Sequence, residues 1–317
     1  MKAQEKGRLA WLDAAKGVGI VLVVIGHAWK SAAVRDPIYA FHMPFFFIVA
    51  GYVAKPAPIR EFAVKQWHAL GVPYIAFLTC LMLVDPLIEF ARGFRPMFPN
   101  IGAAVQAGLM GGTSLHGPLT VFWFVPCLMI ARLVQTALYR FWPNVRDWRW
   151  VLTMALMLVF GVWWGRASNF SPLGIIVTPV ALVFLWLGAL WRTIERDRAL
   201  LTLCALISVI VMAIYWPLRP LNMKYGDYNA WPFVLLGLAA VLSLGFCWLM
   251  RAMPWRPFVA LGRMSLVIMF LHVAVIHYLR PYFGLYVLTA LAVVIPVGIY
   301  YLLKRSEMGR RYFLGMA

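Results

Sequence analysis

Runs of mostly apolar residues recur at about 17–34, 38–54, 69–90, 119–139, 149–165, 173–192, 199–218, 230–250, 258–280 and 284–303, and the segments between them carry most of the lysine and arginine. Each run approaches the roughly 20 residues that an α-helix needs to cross the hydrocarbon core of a bilayer. The pattern predicts an all-α, polytopic membrane protein of about ten transmembrane helices. An even number of crossings returns the chain to its starting side, so both termini share one side.

The polar positions supply the orientation. When the connecting segments and their flanks are assigned alternately to the two sides, the set containing both termini holds 21 Lys and Arg and the other set holds 8. Basic residues accumulate on the cytoplasmic side of membrane proteins, so both termini are expected to be cytoplasmic. Composition strengthens this reading. Of 317 residues, 63% are hydrophobic and 13% charged, with a mean hydropathy of +0.81; soluble domains carry about 25% charged residues. An ordinary soluble protein is excluded, and ten spans leave no room for a separate water-soluble domain. The chain therefore reads as one integral-membrane domain over 1–317, with a core of about 8–303 and a short cytoplasmic tail at 304–317.

Net charge changes the picture less than it first suggests. With 29 Lys and Arg against 11 Asp and Glu, the chain carries +18, a balance that also suits nucleic-acid binding. The basic residues are scattered between apolar runs, however, with no basic face or recognition motif. No nucleic-acid partner is expected; the lipid bilayer is. The start, MKAQEKGR followed by GVGIVLVVIG and Ser31-Ala32-Ala33, superficially resembles a signal peptide. Cleavage would leave nine spans, whereas the charge alternation fits ten, so the segment is read as the first helix. Cys80, Cys127, Cys204 and Cys247 fall one in each of four apolar runs with no CxxC spacing, and imply packing rather than a disulfide or metal site. The longest loop, about 91–118, reads as a flexible connector or a cover over the site.

Ionisable groups inside spans cost on the order of 2.5–3.5 kcal/mol on insertion scales, so each needs a reason. At a rise of about 1.5 Å per residue, His27, His42 and His272 lie about 10, 7 and 12 Å below the outer boundary on three different helices. Three histidines thus share a depth band, although depth alone does not bring them together. Lys16 precedes His27 by eleven residues, about three helical turns, which places both on one helix face some 16 Å apart. A surface cation can hold an anionic group such as phosphate, and a neutral imidazole can accept a proton near pH 7. The plainer alternative makes Lys16 an orientation residue paired with Asp13 at i,i+3. Asp85 and Glu89 read as an acid/base or acceptor-binding pair or, more simply, as a solvated helix end near Arg92 and Arg95. No nucleotide loop, metal-ligand motif or Ser/His/Asp arrangement stands out, so no metal is expected.

The block Arg8…Asp13-Ala-Ala-Lys16-Gly17…Gly26-His27, followed by Phe41-His42-Met43-Pro44-Phe45-Phe46-Phe47…Gly51-Tyr52, resembles the acyltransferase 3 family of integral-membrane acyltransferases, and within it the fucose 4-O-acetylase-like branch. Later landmarks agree: Pro73-Tyr74, Trp123-Phe124, and Leu261-Gly262-Arg263-Met264-Ser265-Leu266 running to Leu271-His272. The resemblance implies an enzyme of about ten spans, usually in the bacterial inner membrane, that moves an acyl group, usually acetyl from acetyl-CoA, to a hydroxyl of an envelope or exported carbohydrate. It also implies Lys16, Lys65 and Arg60 as candidate cations for CoA, His27 and His42 as candidate catalytic residues, and His272, Trp123 and Ser265 as candidate substrate-binding residues. His27 would act as general base or transient acyl carrier.

Two departures from the family pattern matter. Family members often carry two arginines three apart before the third span, where this chain reads Lys65-Gln66-Trp67-His68. Some also carry an extracytoplasmic hydrolase-like domain that completes transfer; here the expectation is action alone or with a separate polysaccharide-synthesis partner. The competing classes are a transporter or lipid-linked-glycan translocase and a structural partner in an envelope-synthesis complex. Against transport stand the lack of convincing inverted repeats and the scarcity of intramembrane acids.

Overall fold

The protein, seen in a computed structural model, is described for residues 9–316 apart from 195–197, 215–219 and 253–255; some side chains within 198–212 lie outside the description, including that of Cys204. Arg8 of the N-terminal motif also lies outside the described residues. Fourteen α-helices follow one another: α1 (Ala10–Ala28), α2 (Ala32–Tyr39), α3 (His42–Tyr52), α4 (Ile59–Gln66), α5 (Val72–Ala91), α6 (Ile101–Met110), α7 (Phe124–Phe141), α8 (Trp148–Ala167), α9 (Thr178–Ile194), α10 (Arg198–Ile214), α11 (Pro232–Ala252), α12 (Arg256–Arg263), α13 (Ser265–Leu279) and α14 (Leu285–Arg305). Among the described residues there is no β-strand, only an isolated bridge between Asn222 and Asp227.

Each of the ten apolar runs carries a helix, but the crossings are uneven. Among the described residues, seven helical stretches are long and apolar enough to span a membrane, and the pair α12 and α13, bent by 77°, makes an eighth if taken as one span. The other two runs hold the 11-residue α3 and the 17-residue α10. The run at 38–54 is divided for a local reason: the helix stops at Tyr39 and restarts at His42. Pro44 lies in the first turn of α3, where a missing N–H costs no helical hydrogen bond. The second break falls at Met264, and Ser265 Oγ donates to the Gly262 carbonyl across it at 2.9 Å.

Close helix crossings set the bundle. A Cβ at Gly17 of α1 would come within 2.0 Å of the Phe258 carbonyl oxygen, and one at Gly262 of α12 within 1.7 Å of the Asp13 carbonyl oxygen. The same reciprocity joins α3 to α9, through Gly51 against Leu185 and Gly188 against Ile48. Small residues let backbones approach within a membrane, where packing rather than the hydrophobic effect drives helix association. α1 is the hub, packed against α2, α3, α11, α12, α13 and α14. α13 fills the middle, with Phe270 stacked on Phe77 at 5.1 Å and against Phe122 at 4.8 Å.

The long 91–118 segment is more ordered than a flexible connector. It contains α6, capped by the Asn100 side chain, which accepts from the Ala103 N–H at 2.8 Å. Its last part brings Leu115 fully inside. Asp85 and Glu89 are also not a solvated helix end, for both are buried. Tyr278 O–H and the Met97 N–H donate to Asp85 at 2.7 and 2.8 Å, while Glu89 holds Arg92 at 2.7 Å and His277 Nε2 at 3.1 Å. These carboxylates tie α5 to α13 and to the loop beyond it, and the reason is the expense of leaving a buried acid unpaired.

Candidate active site

A cavity of about 740 Å³ runs beside α1, and its lining includes both Lys16 and His27. The eleven-residue spacing thus becomes a shared wall: one face of α1 carries a cation at the end assigned to the cytoplasm and an imidazole far inside. Lys16 Nζ pairs with Asp13 Oδ1 at 2.8 Å, so the i,i+3 partner and the cavity position coexist. Asp13 is buried and also faces Arg263 Nε at 3.7 Å, across the glycine crossing of α1 and α12. Arg132 of α7 joins the lining. Its guanidinium lies over the Phe62 ring at 5.1 Å, and its Nε is buried without a hydrogen-bond partner among the described residues.

Deeper in, the three histidines of the shared depth band line the same cavity. The rings of His27 and His272 lie 5.1 Å apart, and Tyr39 bridges the other pair, with its hydroxyl 3.0 Å from His27 Nδ1 and its ring 4.8 Å from that of His42. His42 Nδ1 faces the Ile38 carbonyl at 3.0 Å and His272 Nδ1 faces the Ile268 carbonyl at 2.8 Å. A carbonyl only accepts, so both rings donate from Nδ1 and, when neutral, leave Nε2 as an acceptor. The same logic applied to His27 leaves two arrangements. Either Tyr39 O–H donates to Nδ1 and Nε2 carries the ring proton, or Nδ1–H donates to the Tyr39 oxygen, which leaves Nε2 as a free base and the Tyr39 O–H available to another acceptor. The backbone that carries the ring is held as well, because Arg280 donates to the Ala28 carbonyl at 3.0 Å and to that of His27 at 3.5 Å, at the negative end of the α1 dipole.

The remaining sequence-chosen residues divide. Trp123 and Ser265 line the cavity, Trp123 almost fully buried. Lys65 and Arg60 do not: both lie on α4, exposed and outside the lining, although Phe62 of that helix packs under Arg132. Sequence reasoning passed over Tyr39, Arg132 and Arg280. Arg132 and Arg280 were visible only as members of the inner and outer basic sets, and Tyr39 carried no signal beyond its place three residues before His42. Every charged side chain in the lining is cationic; no described Asp or Glu contributes. Among the described residues no group of three or more His, Cys, Asp and Glu is arranged to hold a metal ion.

The fold and site together define an all-helical bundle of membrane-spanning character, with a cavity that carries cations towards its two ends and three histidines between them. The chain belongs to the acyltransferase 3 family, whose model, described as an acyltransferase domain, matches residues 9–304. The chain is also similar to the nodulation protein NolL of Sinorhizobium fredii (strain NBRC 101917 / NGR234), 28% identical over 148 residues. That match takes in 43% of this chain and 38% of NolL, so the chain spans well under half the length of this curated relative. No solved structure matches.

Proposed function

We propose that the protein moves an acyl group, acetyl in the first instance, from acyl-CoA at the inner mouth of the cavity to a hydroxyl of an envelope or exported carbohydrate, in the bacterial inner membrane. The observation that carries this reading is the single cavity that joins Lys16 to His27, His42 and His272. CoA is a polyanion, and the inner end presents Lys16 and Arg132, with Arg263 close by across Asp13. Lysine and arginine both recognise phosphate, the latter in a fixed planar fork. Lys65 and Arg60 belong to the approach to that mouth rather than to its wall.

His27 is assigned the base. Its Nε2 takes the proton of the acceptor hydroxyl as the oxygen attacks the thioester carbonyl. The tetrahedral adduct collapses with loss of the CoA thiolate, and the imidazolium returns the proton to sulfur, leaving an ester and free CoA. Tyr39, accepting from Nδ1–H, fixes the ring and its tautomer, and its own O–H, which that bond does not use, is placed to donate to developing oxyanion charge. In the two-step variant, His27 attacks first and carries the acyl group as an acyl-imidazole before the hydroxyl displaces it. His42 and His272 offer Nε2 acceptors to the incoming hydroxyls, with Trp123 and Ser265 shaping the wall.

The fucose 4-O-acetylase-like sequence pattern supports a carbohydrate acceptor. The test is acetyl transfer by purified protein in nanodiscs, followed by acceptor-dependent release of free CoA. Wild type releases CoA only with acceptor present, and His27→Ala loses transfer by about 10²–10⁴-fold, the usual contribution of a positioned acid or base. Near-normal transfer by a folded His27→Ala protein would remove His27 from the chemistry. Solute accumulation in proteoliposomes without CoA consumption would replace the reading with transport.

A further inference from the structure

The outer end of the same cavity is lined by a short hairpin, residues 222–227. Its ends are tied by paired backbone hydrogen bonds, Asn222 N–H to the Asp227 carbonyl at 3.1 Å and Asp227 N–H to the Asn222 carbonyl at 3.2 Å. The preceding residue, Leu221, donates its N–H to the Tyr39 carbonyl at 3.4 Å, which seats the hairpin beside the break between α2 and α3. At its tip Lys224 points inward. The residue is only 7% exposed, lines the cavity, and donates to Thr120 Oγ1 at 3.0 Å and to the Leu115 carbonyl.

Both partners are neutral. An ammonium has three donors, and two are used on the protein. A buried cation is retained at a cost unless it meets an opposite charge, and none of the described carboxylates lies in the lining. Arg35, the other cation of this end, is already paired with Asp36 at 2.8 Å. Asp227, the acid of the hairpin itself, is exposed, accepts from the Asn229 N–H at 3.0 Å and is outside this lining. Burial pushes the Lys224 ammonium down from its ordinary value to about 8. That is the direction expected of a cation short of counter-charge.

We propose that Lys224 forms an anion subsite at the outer mouth, which selects an acceptor carbohydrate bearing a negative group, a carboxylate or a phosphate, close to the hydroxyl that is acylated. This deepens the O-acyl transfer reading and rests on its assignment of the outer mouth to the acceptor. The position of the hairpin beside Tyr39, itself bonded to His27, places the charged group of the sugar near the reacting end. The third Lys224 donor serves that group, while Thr120 and Leu115 hold the ammonium in place.

Binding and transfer are measured separately on the full-length protein in nanodiscs. Calorimetry compares methyl glucuronide, methyl glucoside 6-phosphate and neutral methyl glucoside, for wild type, Lys224→Met and Lys224→Arg. The expected result is binding of one or both anionic sugars to wild type at least about ten-fold tighter than the neutral one, equivalent to about 1.4 kcal/mol. The preference collapses to about one in Lys224→Met and survives in Lys224→Arg, which also guards against misfolding of the methionine variant. Which anion is preferred identifies the uronate or the phosphate as the natural group. Equal binding of charged and neutral sugars by wild type, no binding of any, or a preference that persists in Lys224→Met would overturn the subsite. Transfer of acetyl to the bound sugar is scored apart: charge-selective binding without transfer removes the transferase reading and leaves the subsite, whereas transfer without charge selectivity does the reverse.

Discussion

The two mouths of the cavity are both cationic, yet they are built on opposite principles. At the inner mouth Lys16 is about a quarter exposed and already paired with the buried carboxylate of Asp13. At the outer mouth Lys224 is buried among neutral oxygens. An anion that arrives at Lys16 competes with Asp13 and with water, and gains a modest amount per contact while sharing several cations. An anion that arrives at Lys224 replaces no carboxylate and relieves a desolvated charge. The contrast suits a large polyanionic donor that must come and go on one side, and a smaller charged acceptor that must be chosen on the other.

Four substitutions probe that difference, beginning with the part common to both ends. His27→Ala, between the two mouths, is expected to lower transfer by about 10²–10⁴-fold with little change in the binding of either reactant. Lys16→Ala acts on the donor alone. Hydrogen bonds to charged groups contribute about 1.5–3 kcal/mol, so the KM for acetyl-CoA should rise by roughly ten- to a hundred-fold while acceptor affinity stays within about two-fold. A fall in acceptor affinity, or an unchanged donor KM, would dissolve the division between the mouths. Gly262→Val places a side chain where the Asp13 backbone stands. It should cost about 1–3 kcal/mol of stability through overpacking, read as a lower thermal midpoint in detergent, and should weaken donor binding because α12 no longer seats Asp13. Lys65→Ala is the smallest, with donor KM within about two-fold, since exposed charges contribute little; a change as large as that of Lys16→Ala would extend the inner site onto α4.

Local spacing sufficed to foretell one wall of the cavity. Lys16 and His27 had to share a face once α1 formed, because eleven residues make three turns, and both do line one cavity. The depth band of His27, His42 and His272 was likewise legible from span boundaries. Their meeting was not, since it depends on how α1, α3 and α13 are rotated; glycine crossings fit α1 against α12 at Gly17 and Gly262 and α3 against α9 at Gly51 and Gly188, and α13 is seated by its aromatic packing. Asp85 and Glu89 illustrate the opposite error. Their i,i+4 spacing near a helix end with Arg92 and Arg95 suggested water, but the tertiary fold lays Tyr278, His277 and the Met97 backbone over them.

The fold class, the all-helical membrane character and the polytopic chain followed from apolar runs and the scarcity of charge, because a bilayer forces every spanning backbone to satisfy its own hydrogen bonds. The uneven division, among the described residues, into seven stretches long enough to span, a bent pair and two shorter helices required the structure. Breaks at Ala40-Phe41 and Met264 depend on packing against neighbouring helices as much as on local composition. The cavity also belongs to the tertiary level. In the sequence Lys224 was one of eight basic residues in the less basic set; folding buried it opposite Thr120 and Leu115, more than a hundred residues away, and so gave the far end of the cavity its charge.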